Sequence, residues 1–231
     1  LKEGGKTVAN ETLAYELGKL KEEVLKMGRL LEEQVYKAVK SLVEKDIKLA
    51  EEVVKNDDIV DKMEVEIEEK ALRLIALKQP MAGDLRLIAT VLRMVVDIER
   101  MADHAESIAK IAVDLYEQAY IKPLIDIPRM GRIAQRMVEN ALSAFISKNV
   151  ELAESLIPME KEMDALYDQI FRELLLYMMQ DQKNISQATS LLIIAGDLER
   201  IGDHATNMAE MVIYLVEGKR VDLNKIARKG R

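Results

Sequence analysis

Four stretches of this sequence carry an acidic residue followed four positions later by Asp: Asp57/Asp61, Glu99/Asp103, Glu160/Asp164 and Glu199/Asp203. Residues four apart share one face of an α-helix, so each stretch presents two carboxylates side by side. One such pair costs a helix only roughly 0.2–0.5 kcal/mol, and chance supplies many of them. Two pairs facing each other beside apolar side chains are different. They repel strongly unless protons or cations lie between them. Oxygen-only ligation suits Ca, Mg, Mn or Fe; Zn is less favoured, because tetrahedral zinc sites draw on His or Cys.

The chain has no cysteine, which excludes disulfides, thiolate metal sites and cysteine nucleophiles. With 34 basic against 41 acidic residues the formal net charge is −7, so broad binding to a nucleic-acid backbone is not expected. Its only histidines, His104 and His204, each directly follow a motif Asp. One helical step is about 100°, so both rings point away from the carboxylates beside them. They are expected to bond a neighbouring helix, or Asp97 and Asp197 seven residues earlier, in support of the acids rather than as ligands. Arg100 and Arg200 are expected to pair with nearby acids. A ferritin-like iron oxidase calls for Glu-x-x-His, which neither histidine offers. No nucleophile–base arrangement or glycine-rich phosphate loop appears, so no catalytic residue is assigned.

The elements that must position these acids are helices. Hydrophobic residues are 49% of the chain and aromatic residues 4%, with four prolines and ten glycines, a balance that disfavours sandwiches and barrels. Leu20, Val24, Met27, Leu31, Val35, Val39 and Leu42 recur at three- and four-residue steps and mark one long helix. A second is expected from about Ile47 to Lys78. After the Gln79-Pro80 turn, with Asp84 as a cap, a third runs to about Ala119. Pro123 and Pro128 then interrupt the periodicity. The start carries charges throughout and lacks an apolar leader segment, and the uncharged run Asn184 to Gly196 is too short to span a bilayer. A cytoplasmic location is therefore expected.

The second half repeats the first. Asp97-Ile-Glu99-Arg100-Met-Ala-Asp103-His104-Ala returns as Asp197-Leu-Glu199-Arg200-Ile-Gly-Asp203-His204-Ala, and Leu49-Ala50-Glu51 returns as Leu152-Ala153-Glu154. The predicted fold is all-α, two tandem three-helix bundles of spectrin-repeat-like helices. They occupy 1–119 and 129–220, with a linker at 120–128 and a polar tail at 221–231. If each bundle folds back at its second turn, Asp61 falls level with Glu99 and Asp57 with Asp103. In the second half Asp164 falls level with Glu199, and Glu160 with Asp203. Scattered surface acids have no reason to do this twice.

These residues resemble the PhoU family, accessory proteins of phosphate transport, over essentially the whole chain. The match rests on Pro80-x-Ala82-x-Asp84-Leu85-Arg86, on Asp97-x-Glu99-Arg100-x-x-Asp103-His104, and on the second copy through Asn207. The resemblance implies two three-helix bundles with a pseudo-twofold relation and a non-enzymatic role as negative regulator of phosphate uptake and the phosphate-starvation response. It implies action between a phosphate ABC transporter, through its ATPase, and a sensor histidine kinase, with membrane contact only through those partners. It also implies metal ions, iron clusters first and Zn, Mn, Mg or Ca as alternatives. The implied ligands are Asp57, Asp61, Glu99 and Asp103, then Glu160, Asp164, Glu199 and Asp203, with Glu64, Glu106 and Glu210 in reserve. Glu64 becomes Tyr167 and Glu106 becomes Thr206, so the two sites are expected to differ. Long amphipathic helices favour a homodimer. The other readings are a metal-free helical adaptor and, last, a carboxylate-bridged iron oxidase.

Overall fold

Residues 2–229 are described by a computed structural model of the protein, with side chains from 13 to 226. Leu1, at the start of the expected first bundle, and Gly230 and Arg231, in the expected tail, lie outside the described residues. Among the described residues the structure is helical without strands. The first repeat is α1 (Lys2–Glu44), α2 (Ile47–Lys78) and α3 (Gly83–Asp114). The second is α4 (Asp126–Ser147), α5 (Val150–Glu154), α6 (Leu156–Gln180) and α7 (Ile185–Glu217), followed by α8 (Leu223–Lys229).

The turns repeat along with the helices. The Asp46 side chain caps α2 by accepting from the Leu49 amide at 3.1 Å, and Asn149 caps α5 in the same way from Leu152 at 2.9 Å. The α2 helix closes at Gln79, in the left-handed region with φ 48°. The expected cap Asp84 is not the N-cap of α3. Ala82 holds that place without a side-chain bond, and Asp84 lies in the first turn, where its charge still favours the helix dipole.

Two prolines fall where helices begin. Pro128 sits in the first turn of α4, so that helix opens at Asp126, within the stretch expected to be irregular. Pro158 sits in the first turn of α6, after a break at Ser155. A first-turn residue needs no intrahelical amide donor, which is the one thing proline lacks. The α3 helix ends at Asp114, short of the expected Ala119. Beyond it the chain crosses to the second repeat and is tied to both. Tyr120 Oη donates to the Leu42 carbonyl at 2.5 Å, and the Ile121 amide donates to Gln187 Oε1 at 2.6 Å.

The two bundles share one continuous apolar core. Within it α3 packs along α7 and α1 along α4, while α2 and α6 lie outside, each on the third helix of its own repeat. The α3–α7 contact is antiparallel: Thr90 reaches Met211, Asp97 reaches His204, and His104 reaches Asp197. The α1–α4 crossing is tight because both helices carry glycine there. A Cβ on Gly28 would stand 2.5 Å from Leu142 Cδ1, and one on Gly131 would stand 2.9 Å from Val39 Cγ2.

Candidate functional site

In the first repeat the hairpin does bring the acids level. Asp57, Asp61 and Glu64 from α2 meet Glu99, Asp103 and Glu106 from α3 along the seam between the two helices. One carboxylate oxygen from each of Asp57, Asp61 and Asp103 lies within 4.8 Å of the others. Two oxygens bound to one ion at 2.0–2.6 Å can be at most about 4–5 Å apart, so the three are within reach of a single hard cation. Asp57 is half-buried, and Asp61 and Asp103 are exposed, so the seam has an inner wall and an open mouth.

Charge at the seam is unbalanced. Burial, then Glu106, Asp61 and Asp103, push the Asp57 carboxyl up to about 6. Burial, then Asp103, Glu64 and Asp61, push Glu99 up to about 7. Glu64 and Asp103 are raised as well, first by burial and then by acidic neighbours. Lys110, exposed and 2.5 Å from Glu106, and Arg100 offset only part of this. An oxygen of Asp57 is buried without a hydrogen-bond partner. A divalent ion fits this donor set: all oxygen, an excess of negative charge, and one inner oxygen still free.

The second repeat answers the same problem differently. Glu160 is only 3% exposed, and it accepts from Thr206 Oγ1 at 3.2 Å and shares a hydrogen bond with Asp203. Burial, Asp203 and Asp164 push its carboxyl up to about 8, so Glu160 favours its protonated form near neutrality. No trio of oxygens as close as that of the first seam forms here among the described residues. Glu199 lies half-buried on α7, one turn before Asp203. Glu210 is drawn elsewhere: its Oε1 accepts from the Leu223 amide at 2.7 Å, fastening α8 to α7. That bond depends on a tail segment that helical periodicity of α7 cannot reveal.

The histidines bond across the repeats rather than within them. His104 Nδ1 lies 3.0 Å from Asp197 Oδ1, and Ser107 Oγ donates to Asp197 Oδ2 at 2.7 Å. His204 Nδ1 lies 2.8 Å from Asp97 Oδ1, and the two rings stack at 6.0 Å, tilted by 32°. The expectation of a bond to a neighbouring helix holds, whereas neither ring bonds the Asp seven residues earlier on its own helix: each takes the other repeat's Asp. Sequence spacing names the partner residue type but not the helix that carries it. Also missed was Gln34, fully buried in α1 with neither amide atom bonded. Its signal was a polar residue within the apolar stripe between Leu31 and Ala38.

The PhoU domain model matches residues 24–112 and 127–212, the two repeats in turn. The phosphate-specific transport system accessory protein PhoU homolog of Aquifex aeolicus is 44% identical over 218 residues, covering 94% of this chain and 99% of that protein. The crystal structure of PhoU from Pseudomonas aeruginosa superposes with a TM-score of 0.86 at 40% identity, over 89% of this chain and 99% of that one. That of the phosphate transport system regulatory protein PhoU from Streptococcus pneumoniae gives 0.84 at 31% identity, over 91% and 99%. No helix among the described residues is long and apolar enough to cross a membrane. Matched twice by the family model and nearly end to end by these relatives, the chain belongs to the PhoU family, regulatory accessory proteins of phosphate transport rather than enzymes.

Proposed function

We propose that this protein is a metal-binding negative regulator of phosphate uptake and of the phosphate-starvation response, working in the cytoplasm through contacts with other proteins. The relatives' names support the phosphate-transport setting. The observation that carries the metal reading is the trio Asp57, Asp61 and Asp103, with oxygens within 4.8 Å of one another on a seam short of positive charge. Iron is the first candidate, with Mn, Mg, Ca and Zn after it. Loading the seam turns an acidic face neutral or positive, which attracts an acidic partner surface or phosphate itself. The partners we assign are the ATPase of a phosphate ABC transporter and a sensor histidine kinase, met by a homodimer.

The test is metal content after purification without chelators, with Asp61→Asn/Asp103→Asn and Glu199→Gln/Asp203→Asn beside the parent. The first pair of changes should remove bound metal and weaken binding to the transporter ATPase or kinase. The second should remove less, because Glu160 is buried and already bonded to Thr206 and Asp203, which leaves it less free to hold an ion. A parent protein free of metal would leave the metal-free adaptor in its place, and an Asp61→Asn/Asp103→Asn variant with full metal content would remove the α2–α3 seam as the metal site.

A further inference from the structure

Gln34 is 1% exposed, and neither Nε2 nor Oε1 has a hydrogen-bond partner. A buried polar group left unbonded gives up its hydration without a bond in return, and a primary amide brings two such atoms. Methionine or leucine at this position would fill the same space without that cost. The second repeat takes that option: Met130-Gly131-Arg132 corresponds to Met27-Gly28-Arg29, which places Met137 where the first repeat has Gln34.

Two observations locate the amide. Along α1 and α2, the pairs Glu23–Lys70 at 2.7 Å and Lys37–Glu52 at 2.6 Å bracket Gln34 and set its turn level with the turn of Asp57. In the second repeat, the Cβ position of Gly202 lies 3.5 Å from Met137 Sδ and 3.5 Å from Glu160 Oε2. The residue from the first helix and the first motif acid therefore converge on one spot of the third helix. The corresponding trio in the first repeat is Gln34, Asp57 and Ala102. Asp57 Oδ1 is itself buried and unbonded. By this correspondence, the unsatisfied amide of Gln34 and the unsatisfied Asp57 oxygen share the inner side of the first repeat's acidic seam. The second gives the same place a thioether and ties its carboxylate to Thr206 and Asp203.

We propose that Gln34 supplies a neutral oxygen ligand, through Oε1, to a hard divalent cation held by Asp57, Asp61 and Asp103, and that this makes the first repeat the tighter of the two sites. An amide oxygen is a ligand type that hard cations accept readily alongside carboxylates. It adds a donor without adding to the repulsion among the acids. The proposal rests on the metal reading of the seam, and the experiment separates the two.

Manganese(II) is titrated by calorimetry and electron paramagnetic resonance into full-length protein carrying Glu199→Gln/Asp203→Asn, which leaves the first seam to be read alone. Gln34→Met, the second repeat's own choice, and Gln34→Leu are made in that background. Parent protein should bind the ion, and both variants should bind about tenfold more weakly or worse. The bound ion should gain one coordinated water in each variant, read from electron spin echo modulation in deuterated solvent. Without metal, both variants should melt at or above the parent temperature, since an unbonded amide has been removed. Equal affinity and equal hydration in the variants would overturn the role of Gln34 while leaving the seam as a metal site. A parent that binds no manganese would overturn both.

Discussion

The raised carboxyl groups set a direction for how stability responds to pH. Asp57 moves from 3.8 to about 6, Glu99 from 4.5 to about 7 and Glu160 from 4.5 to about 8, each driven first by burial. Between those limits the folded chain keeps protons that the unfolded chain has already released. Stability therefore declines as pH rises through that window, and the loss is complete once the folded groups ionise. Chelator-treated protein should melt progressively lower as pH is raised from 5 to 8. Added manganese should restore most of the loss at pH 8. Glu160→Gln should flatten the part of the decline nearest pH 8, because it removes the group that ionises last. A melting temperature that does not fall over this range, with chelator present, would contradict the electrostatic account. The acids that build the first seam were legible from four-residue spacing and hairpin level alone. What spacing could not show was the competition for each oxygen: Thr206 and Asp203 occupy Glu160, and the Leu223 amide occupies Glu210.

Helix lengths and turns depend on local chemistry, and most of that chemistry is visible in the chain. The apolar stripe of α1 is buried as its periodicity predicted, from Leu20 through Leu42. The starts of α2 and α5 follow from Asp46 and Asn149. The error came at Pro128, read as part of an interruption although it opens a helix, as Pro158 does in α6. The closeness of α1 and α4 was also hidden, since a glycine within a helix carries no sign of what crosses it. Gly28→Val and Gly131→Val should each destabilise the protein by about 1–3 kcal/mol through overpacking against Leu142 and Val39. Gly18→Ala, on the same α1 helix with nothing within 4 Å of its Cβ, should stabilise by about 0.5–1 kcal/mol. Chemical denaturation checks all three. A neutral Gly28→Val would mean that the α1–α4 crossing is looser than described.

At the scale of the whole molecule, the internal repeat foretold two like bundles but not how they join. Joining them is the work of the α3–α7 contact, where Asp97 and Asp197 each bond the other repeat's histidine. Each of these helices therefore carries seam carboxylates on one face and an inter-repeat bond on another. The repeats have diverged around that shared frame. One keeps an open trio of carboxylates and an unbonded amide, and the other a buried acid with protein partners. The most direct measurement of this account is an X-ray crystal structure of the full chain soaked in manganese(II), with anomalous scattering recorded at the manganese edge. The account predicts an anomalous peak in the α2–α3 seam, within bonding distance of Asp57, Asp61 and Asp103, and a weaker peak or none between α6 and α7. A seam without anomalous density at saturating manganese, its carboxylates turned to solvent, would contradict it.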